Sequence, residues 1–429
     1  MANRRAVWSW ALYDLANTIF YGVVVTGYLP AYVIDGMCDG EHAPFALAFY
    51  PAMILAGLVS PALGELADAR GVSKRATVLA SLVCVAATLA LPLPSEPLPL
   101  LALFACALFA YQSALVFYNA LLPSVADRSV EGAVSGLGTG LGYLGNVLAL
   151  PLAMVLVARA DGDARPAFVL AGLLFLGFLL PLAWFVPEAK VVRREAAPFR
   201  FGTTLRRTFD LVRSMRGRPG LTMYFVGNFL CSDVLGSIYA YLMPFVRSPQ
   251  GLGIDAAIGV LFAINVVAVP TCVVMGRLAD RHGAKRMSIV GALALGLAIG
   301  IAHGVASAAR GDASSWLHDV RFGLATYQWI GVLAVVGFGS IGMGGVVGAS
   351  RQWLLRLVPS HEVGAWYGVY GLTGKLSLLS IWPFAKLRDV TGGYGASVAL
   401  LAVLLVAGIA CFAAVPRTVD TERPVTSRS

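Results

Sequence analysis

Apolar residues dominate this chain in runs of about 20, and short polar segments separate the runs. A run of this length can cross the hydrocarbon core of a bilayer as one helix. The runs lie near 7–34, 44–66, 76–94, 98–122, 132–158 and 166–187, and then near 220–246, 255–279, 287–309, 324–358, 362–386 and 393–416. The pattern predicts an all-α integral membrane protein with about twelve transmembrane helices in two groups of six.

One polar phrase occurs twice, each time after the second run of a group. Gly64 to Asp68 reads Gly-Glu-Leu-Ala-Asp, and Gly276 to Asp280 reads Gly-Arg-Leu-Ala-Asp. Basic residues follow at once: Arg70, Lys74 and Arg75 in the first copy, and Arg281, Lys285 and Arg286 in the second. A repeated charged turn in an apolar chain predicts a duplicated bundle, which is typical of transporters.

Further matches extend the repeat. Asp14 with Thr18 in the first run corresponds to Asp233 with Ser237 in the seventh, and Leu-Pro-Ser at 122–124 corresponds to Val-Pro-Ser at 358–360. Because six is an even number of helices, the two copies have the same orientation. We therefore expect pseudo-symmetric bundles related by an axis along the membrane normal, with the substrate path between them.

The repeat and the polar segments predict four regions. Residues 1–187 form an N-terminal six-helix bundle, 188–219 a basic cytoplasmic linker, 220–416 a C-terminal six-helix bundle, and 417–429 a cytoplasmic tail. Leu205, Phe209 and Val212 recur at helical spacing among the linker arginines. This spacing favours an interfacial helix on anionic lipid, and a solvated linker explains it equally well.

Composition and charge narrow the class. Only 13% of the 429 residues are charged and the mean hydropathy is +0.76, which excludes a soluble protein of this size. The net charge of +9 comes from Lys and Arg between the apolar runs, so it indicates membrane topology and not nucleic-acid binding. The charge asymmetry places both termini in the cytoplasm, and we expect a monomer in the cell (inner) membrane.

Ionisable residues inside apolar runs are the first candidate site. They are Asp14 with Asn17 in the first run, Asp233 in the seventh, Arg351 in the tenth and Lys375 in the eleventh. A charge at bilayer depth costs about 3 kcal/mol unless it faces protein or water. The acids are candidates for binding a proton or a cationic group, and the bases for binding an anion. The alternatives are internal salt bridges, such as Asp233 with Lys375, and snorkelling of Arg351.

Tyr118 and Asn119 in the fourth run are uncharged candidates for orienting a solute. Asn146, Asn228 and Asn265 are also polar at depth, and we favour hydrogen bonds between helices for these three.

The repeated charged turn has a mechanical interpretation. Asp68 or Asp280 could pair with a cation or a helix N-terminus of the other bundle when the cytoplasmic side is shut, which makes a conformational latch. The candidate latch residues are Gly64, Asp68, Arg70, Arg75, Gly276, Asp280, Arg281 and Arg286. The alternative is a turn whose basic residues only fix topology.

Other motifs point away from an enzyme. Gly140-Leu-Gly142-Tyr-Leu-Gly145 matches a dinucleotide fingerprint, but it lies inside an apolar run and follows no strand, so close helix packing is favoured. No Walker A sequence or nucleophile elbow occurs. The six cysteines lack metal-ligand spacing. We expect no cofactor, no metal and no ATP hydrolysis.

Several segments of the chain resemble a known family. The doubled Gly-x-Leu-Ala-Asp turn resembles the signature of the major facilitator superfamily. Segments 10–18, 118–123, 135–145 and 364–375 resemble its "unknown major facilitator" branch, which includes the autophagy-related vacuolar amino-acid effluxers. The resemblance implies a twelve-helix carrier whose cavity is lined by the first, fourth, seventh and tenth helices, with amino acids as cargo.

The first copy of the turn departs from the signature. Ala69 and Ser73 stand where the signature usually has a basic residue. A latch at Asp68 should therefore be weaker than one at Asp280.

The sequence thus predicts a secondary active transporter for a small polar solute, such as an amino acid or other zwitterion, coupled to a proton or another ion. One alternative is a proton-driven exporter of hydrophobic or cationic compounds. An alternative of another class is a receptor or scaffold that does not transport.

Overall fold

The computed structural model describes residues 4–39, 43–127, 129–188, 201–247, 254–309, 324–359, 362–376, 380–392 and 394–416. None of these residues forms a β-strand, so the predicted all-α fold is confirmed. The linker segment 189–200, the tail 417–429 and the side chains of Asp68 and Lys375 lie outside the described part.

The helices before the second half of the chain follow the predicted runs. They are α1 (Arg4–Ile19), α2 (Leu29–Met37), α3 (Ala43–Arg70), α4 (Ser73–Ala90), α5 (Pro97–Ala120), α6 (Leu122–Val125), α7 (Glu131–Arg159), α8 (Arg165–Phe185) and α9 (Phe201–Ser214). A π-helical segment, Phe20–Tyr28, joins α1 to α2.

The second half has a matching order. Its helices are α10 (Pro219–Arg247), α11 (Ile254–His282), α12 (Ala284–Ala309), α13 (Leu324–Met343), α14 (Ser350–Leu357), α15 (Val363–Leu376), α16 (Ile381–Thr391) and α17 (Gly395–Ala414). A second π-helical segment, Gly344–Ala349, joins α13 to α14.

Ten segments of the described chain are long and apolar enough to span a membrane. They coincide with ten of the twelve predicted runs. The first run contains the π-helical segment, and the described part of the eleventh run consists of α15 and α16. Such π-helical segments are frequent at functional sites.

The chain forms two compact units. One contains Met1–Gly217 together with Val358–Lys375, and the other contains Arg218–Leu357 together with Leu376–Ser429. Most of α15 therefore packs with the first half of the chain. The bundle boundaries at 187 and 220 remain predictions.

The glycine-rich face of α7 brings that helix close to α1 in the first unit. A β-carbon at Gly145 would lie 2.7 Å from the Leu15 carbonyl oxygen, and one at Gly142 would lie 2.8 Å from Thr18 Oγ1. These distances are shorter than van der Waals contact. The glycines of this run therefore allow helix packing, as the sequence predicted for Gly142 and Gly145.

The two charged turns have the same backbone. Gly71 (φ 61°) and Gly283 (φ 92°) adopt the left-handed conformation, which a side chain disfavours. Their N–H groups donate to the carbonyls of Ala67 (2.8 Å) and Ala279 (3.0 Å), respectively. Each glycine thus ends one helix so that the next begins within two residues, and the repeat is visible in three dimensions.

Candidate functional site

Asp14 lies on the face of α1 that packs against α7. One carboxylate oxygen of Asp14 is 3.2 Å from the position a β-carbon at Gly138 would occupy, and the Trp10 ring covers the same position. Thr18 donates its hydroxyl to the Asp14 carbonyl (3.0 Å). The half-buried carboxylate therefore occupies space that only a glycine on α7 leaves free.

Asn17 is a buried polar residue on α1 of the first unit. Its side chain is 3% exposed. Neither its amide oxygen nor its amide nitrogen has a hydrogen-bond partner among the described residues. A buried polar group without a partner costs about 1–3 kcal/mol, so a residue of this kind is a candidate for contact with a solute or water.

Tyr118 belongs to an aromatic cluster between α1 and α5. Its ring stacks on Trp10 at 4.6 Å and lies 4.8 Å from the Tyr13 ring. The Trp10 indole donates to the Tyr118 carbonyl (3.2 Å), and the Tyr13 hydroxyl pairs with Ser81 Oγ (2.5 Å). Tyr118 is fully buried, whereas the neighbouring Asn119 is half-buried.

Asp233 is buried inside the second unit, at 3% exposure. Its carboxylate accepts a hydrogen bond from the backbone N–H of Ser380 (3.2 Å), the residue immediately before α16. The Ser380 hydroxyl pairs with the hydroxyl of Ser237, one turn after Asp233 on α10 (2.7 Å). Asp233 and Ser237 share a face as predicted, and that face points at the start of α16.

An acid in this position is stabilised by two effects. The N–H of Ser380 is a direct donor to the carboxylate, and the positive end of the α16 dipole favours negative charge there.

The two basic candidates are placed differently. Arg351, at the start of α14, is 7% exposed and follows directly on the second π-helical segment. Its burial places the guanidinium inside the protein. The side chain of Lys375 lies outside the described residues, so its pairing with Asp233 or with a solute stays a prediction.

The first copy of the charged turn lies beside α15 within the first unit. A β-carbon at Gly64 would be 2.7 Å from the Ala365 backbone nitrogen, and one at Gly368 would be 2.4 Å from the Ser60 carbonyl oxygen. The α3 and α15 backbones thus touch through glycines. The N-terminal turn of α15 lies one turn along α3 from Asp68.

The second copy makes a bond inside its own unit. The side-chain amide of Gln352 on α14 donates to the Asp280 carboxylate (2.7 Å). Gly276 is buried, and Arg281 and Arg286 are exposed, as is Arg70 in the first copy. Arg75 forms an ion pair with Glu188 (3.8 Å).

Comparison with known proteins identifies the family. Residues 43–382 match the family model described as Major Facilitator Superfamily. The chain belongs to the major facilitator superfamily. This membership makes it an integral membrane transporter, as its sequence predicted.

The relatives of this facilitator match different fractions of its chain. It is 26% identical over 431 residues to the uncharacterized MFS-type transporter YxiO of Bacillus subtilis, covering 96% of this chain and 95% of YxiO. It is 28% identical over 190 residues to the multidrug efflux pump Tap of Mycolicibacterium fortuitum, covering 44% of each chain.

A solved structure supports the fold. The proton:xylose symporter XylE, bound to 6-bromo-6-deoxy-D-glucose, matches with a TM-score of 0.69 and 16% identity, over 96% of this chain and 97% of XylE. The narrower resemblance to the vacuolar amino-acid effluxers stays a prediction.

The sequence did not predict the contacts of three polar residues of this facilitator. Glu188 accepts hydrogen bonds from the backbone nitrogens of Lys74 (2.6 Å) and Arg75 (3.3 Å) at the start of α4. In the second unit, Lys285 donates to carbonyls at the end of α17, and the Ser380 N–H at the start of α16 donates to Asp233. A repeated Val-Pro pair at 186–187 and 415–416 was the available signal for Glu188 and Lys285.

Proposed function

We propose that this facilitator is a proton-coupled secondary transporter that moves a small polar solute by alternating access. The observation that carries the proposal is the buried carboxylate of Asp233, which accepts the Ser380 N–H at the start of α16. An ionisable group at this depth is costly and is typical of proton relays in transporters.

Proton binding at Asp233 would act on the start of α16. The charge-assisted bond to Ser380 exists only while the carboxylate is ionised. Protonation replaces it with a weaker interaction and releases the start of α16. A proton can thus bias an element that has two arrangements, which is the requirement for coupling.

A polar solute requires polar groups without committed partners. Asn17 supplies two such groups in the first unit, and the Asp14 carboxylate lies one turn away on the same helix. We propose that Asn17 and Asp14 contact the solute, with Asn119 and Tyr118 as neighbours that orient it.

A zwitterion is the cargo class that we favour. Asp14 and Asp233 could recognise an ammonium group, and Lys375 or the buried Arg351 could recognise a carboxylate. The sequence resemblance to amino-acid effluxers points to the same cargo. An amino acid is therefore the first solute to test.

We also propose that the two charged turns act as conformational latches of the transporter. The N-terminal turn of α15, held against Gly64, would offer its positive dipole to Asp68. Asp280 would act through Gln352 on α14. We propose that both bonds change partners during the transport cycle.

An exporter of hydrophobic compounds is the second candidate, and two observations favour it. The second unit contains an apolar cavity of about 90 Å³ whose lining includes Leu235, Phe384 and Ser237. The relative Tap, whose match covers 44% of this chain, is a multidrug efflux pump. Lys375 and Arg351 are unfavourable for a cationic drug, so we rank this candidate below a polar solute.

Reconstitution separates the candidates. Purified protein in proteoliposomes is tested with labelled amino acids, sugars and cationic dyes under an imposed pH gradient. We expect an amino acid to be transported, and Asp233→Asn and Lys375→Met to abolish that transport. Asp210→Asn and Lys386→Met, which change exposed residues, serve as matched controls.

Two results would count against the proposal. Transport of dyes alone would replace the polar solute by the exporter. Unchanged transport of every tested solute in both site variants would remove Asp233 and Lys375 from the site.

A further inference from the structure

A basic cavity lies at one end of the second unit, next to the second charged turn, and it is separate from the residues proposed to contact the solute. It measures about 720 Å³, which is within the range of ligand pockets, roughly 300–1,000 Å³. Its wall includes His282, Lys285, Arg286 and Arg356, and its described lining contains no acidic side chain. Four basic groups around one cavity favour an anion.

The cavity lies where membrane spans end. The spans Phe262–His282, Gly331–Leu357 and Gly395–Ala414 terminate at its lining, and the span Ala284–Gly304 begins there. This end is the predicted cytoplasmic side. A cavity at the ends of four spans is level with the lipid headgroups, where phosphate groups are concentrated.

The cavity wall is held in place by Lys285 and Trp353. The Lys285 ammonium donates to the carbonyls of Ala413 (2.8 Å) and Val415 (2.5 Å) at the end of α17. Trp353 is 5% exposed and its ring lies 5.3 Å from Phe412. These contacts join α12, α14 and α17 around the cavity.

Arg286 and Arg356 line this cavity and carry positive charge. Arg286 is exposed and Arg356 is half-buried. Neither forms an ion pair with any residue in the described part of the chain. Guanidinium groups bind phosphate through two parallel hydrogen bonds, which makes arginine well suited to this anion.

The first half of the chain shows what an equivalent turn binds. There, Val186-Pro187 is followed by Glu188, whose carboxylate accepts the backbone N–H groups of Lys74 and Arg75 at the start of α4. In the second half, Val415-Pro416 is followed by Arg417. The internal carboxylate of the first copy is thus replaced in the sequence by a base.

We propose that this cavity binds an anionic phosphate group in the place that Glu188 takes in the first copy, and that the source is a membrane phospholipid headgroup. The phosphate contacts Arg286 and Arg356 and lies near the positive N-terminus of α12. The acyl chains extend along the apolar surfaces of the same spans. The assignment does not depend on the identity of the transported solute.

Lipid retention tests the proposal. Full-length protein is purified in detergent with phosphatidylglycerol or phosphatidylcholine, and bound lipid is counted by native mass spectrometry. We expect saturable retention of phosphatidylglycerol, weakened roughly 10- to 100-fold in the double variant Arg286→Gln/Arg356→Gln. Arg213→Gln/Arg216→Gln removes two exposed linker charges and serves as the control for general charge effects.

Further arms identify the source. Arg286→Lys/Arg356→Lys keeps the charge, so it should fold and retain part of the binding. Inorganic phosphate should raise the melting temperature less than phosphatidylglycerol. An equal rise would keep the phosphate site and overturn the headgroup as its source.

Two results would overturn the site itself. One is equal loss of lipid in the cavity and linker variants. The other is stronger lipid retention in Asp420→Asn/Glu422→Gln, because the carboxylates of the tail would then be the occupant.

Discussion

At the scale of single residues, the protein combines tight glycine contacts with polar groups that lack partners. Asn17 and Gly145 represent the two types. The amide of Asn17 has no hydrogen-bond partner among the described residues, and Gly145 leaves no space for a β-carbon. The buried amide of Asn17 costs stability, whereas the close packing at Gly145 provides it.

Replacement of Asn17 by Leu separates a structural role from a binding role. Leu has the same branched skeleton of side-chain heavy atoms and no polar group to desolvate, so the solute-free protein should be as stable as before, or more stable by about 1–3 kcal/mol. The rise in melting temperature caused by a transported solute should disappear. Thermal unfolding with and without solute measures both effects, and a solute-induced rise that persists in the variant would remove Asn17 from the site.

Replacement of Gly145 by Ala should destabilise the first unit by about 1–3 kcal/mol, because the new β-carbon meets the Leu15 carbonyl at 2.7 Å. Gly177→Ala is the matched control, since a β-carbon there meets nothing within 4 Å. The control should be neutral or gain about 1 kcal/mol from helix propensity. Thermal unfolding in detergent compares the two, and equal effects would contradict the packing role of α7.

The sequence predicted which residues are polar at depth but not how they pair. The spacing of Asp233 and Ser237 placed them on one face of a helix. Ser380 comes to that face from 147 positions beyond Asp233 along the chain, and no local pattern contains such a contact. Likewise, the burial of a single residue such as Asn17, and its lack of hydrogen-bond partners among the described residues, can be seen only in the packed structure.

At the scale of elements, the two copies of the charged turn share a backbone but differ in what holds the next helix. Glu188 binds the start of α4, whereas Lys285 on α12 binds the end of α17. Opposite charges thus stabilise equivalent corners. The repeat predicted the turns and their glycines, while the change of charge was visible only once the partners were located.

Loss of the Glu188 carboxylate should therefore weaken the first corner. Glu188→Ala removes two backbone hydrogen bonds at the start of α4 and should cost about 1–2 kcal/mol. Glu96→Ala is the control, because Glu96 precedes α5 without a side-chain capping bond. Thermal unfolding at low and high salt measures the cost. A difference that vanishes at high salt would assign the effect to the exposed ion pair with Arg75.

At the scale of the whole molecule, ten of the predicted spans and their order were predictable in the described chain, because membrane spans require long apolar runs. The π-helical segment Phe20–Tyr28 was not predictable, since it lies inside an apolar stretch that continues on both sides. The grouping of Val358–Lys375 with the first half was also hidden from the sequence.

The latch proposal predicts which of two equivalent substitutions slows transport more. Asp280→Asn should slow transport more than Asp68→Asn, because the second copy carries the fuller signature and Asp280 accepts a bond from Gln352. Initial rates in proteoliposomes measure the ranking. Slower transport in Asp68→Asn than in Asp280→Asn would contradict it.

The central claim is that a proton at Asp233 is coupled to movement of a polar solute. Its most direct test loads proteoliposomes with a pH-sensitive dye, adds the solute, and records proton and solute fluxes together. We expect the two fluxes to occur at a fixed ratio in the natural protein and the proton flux to be absent in Asp233→Asn. Solute movement without proton flux in the natural protein, or an unchanged proton flux in Asp233→Asn, would contradict the account.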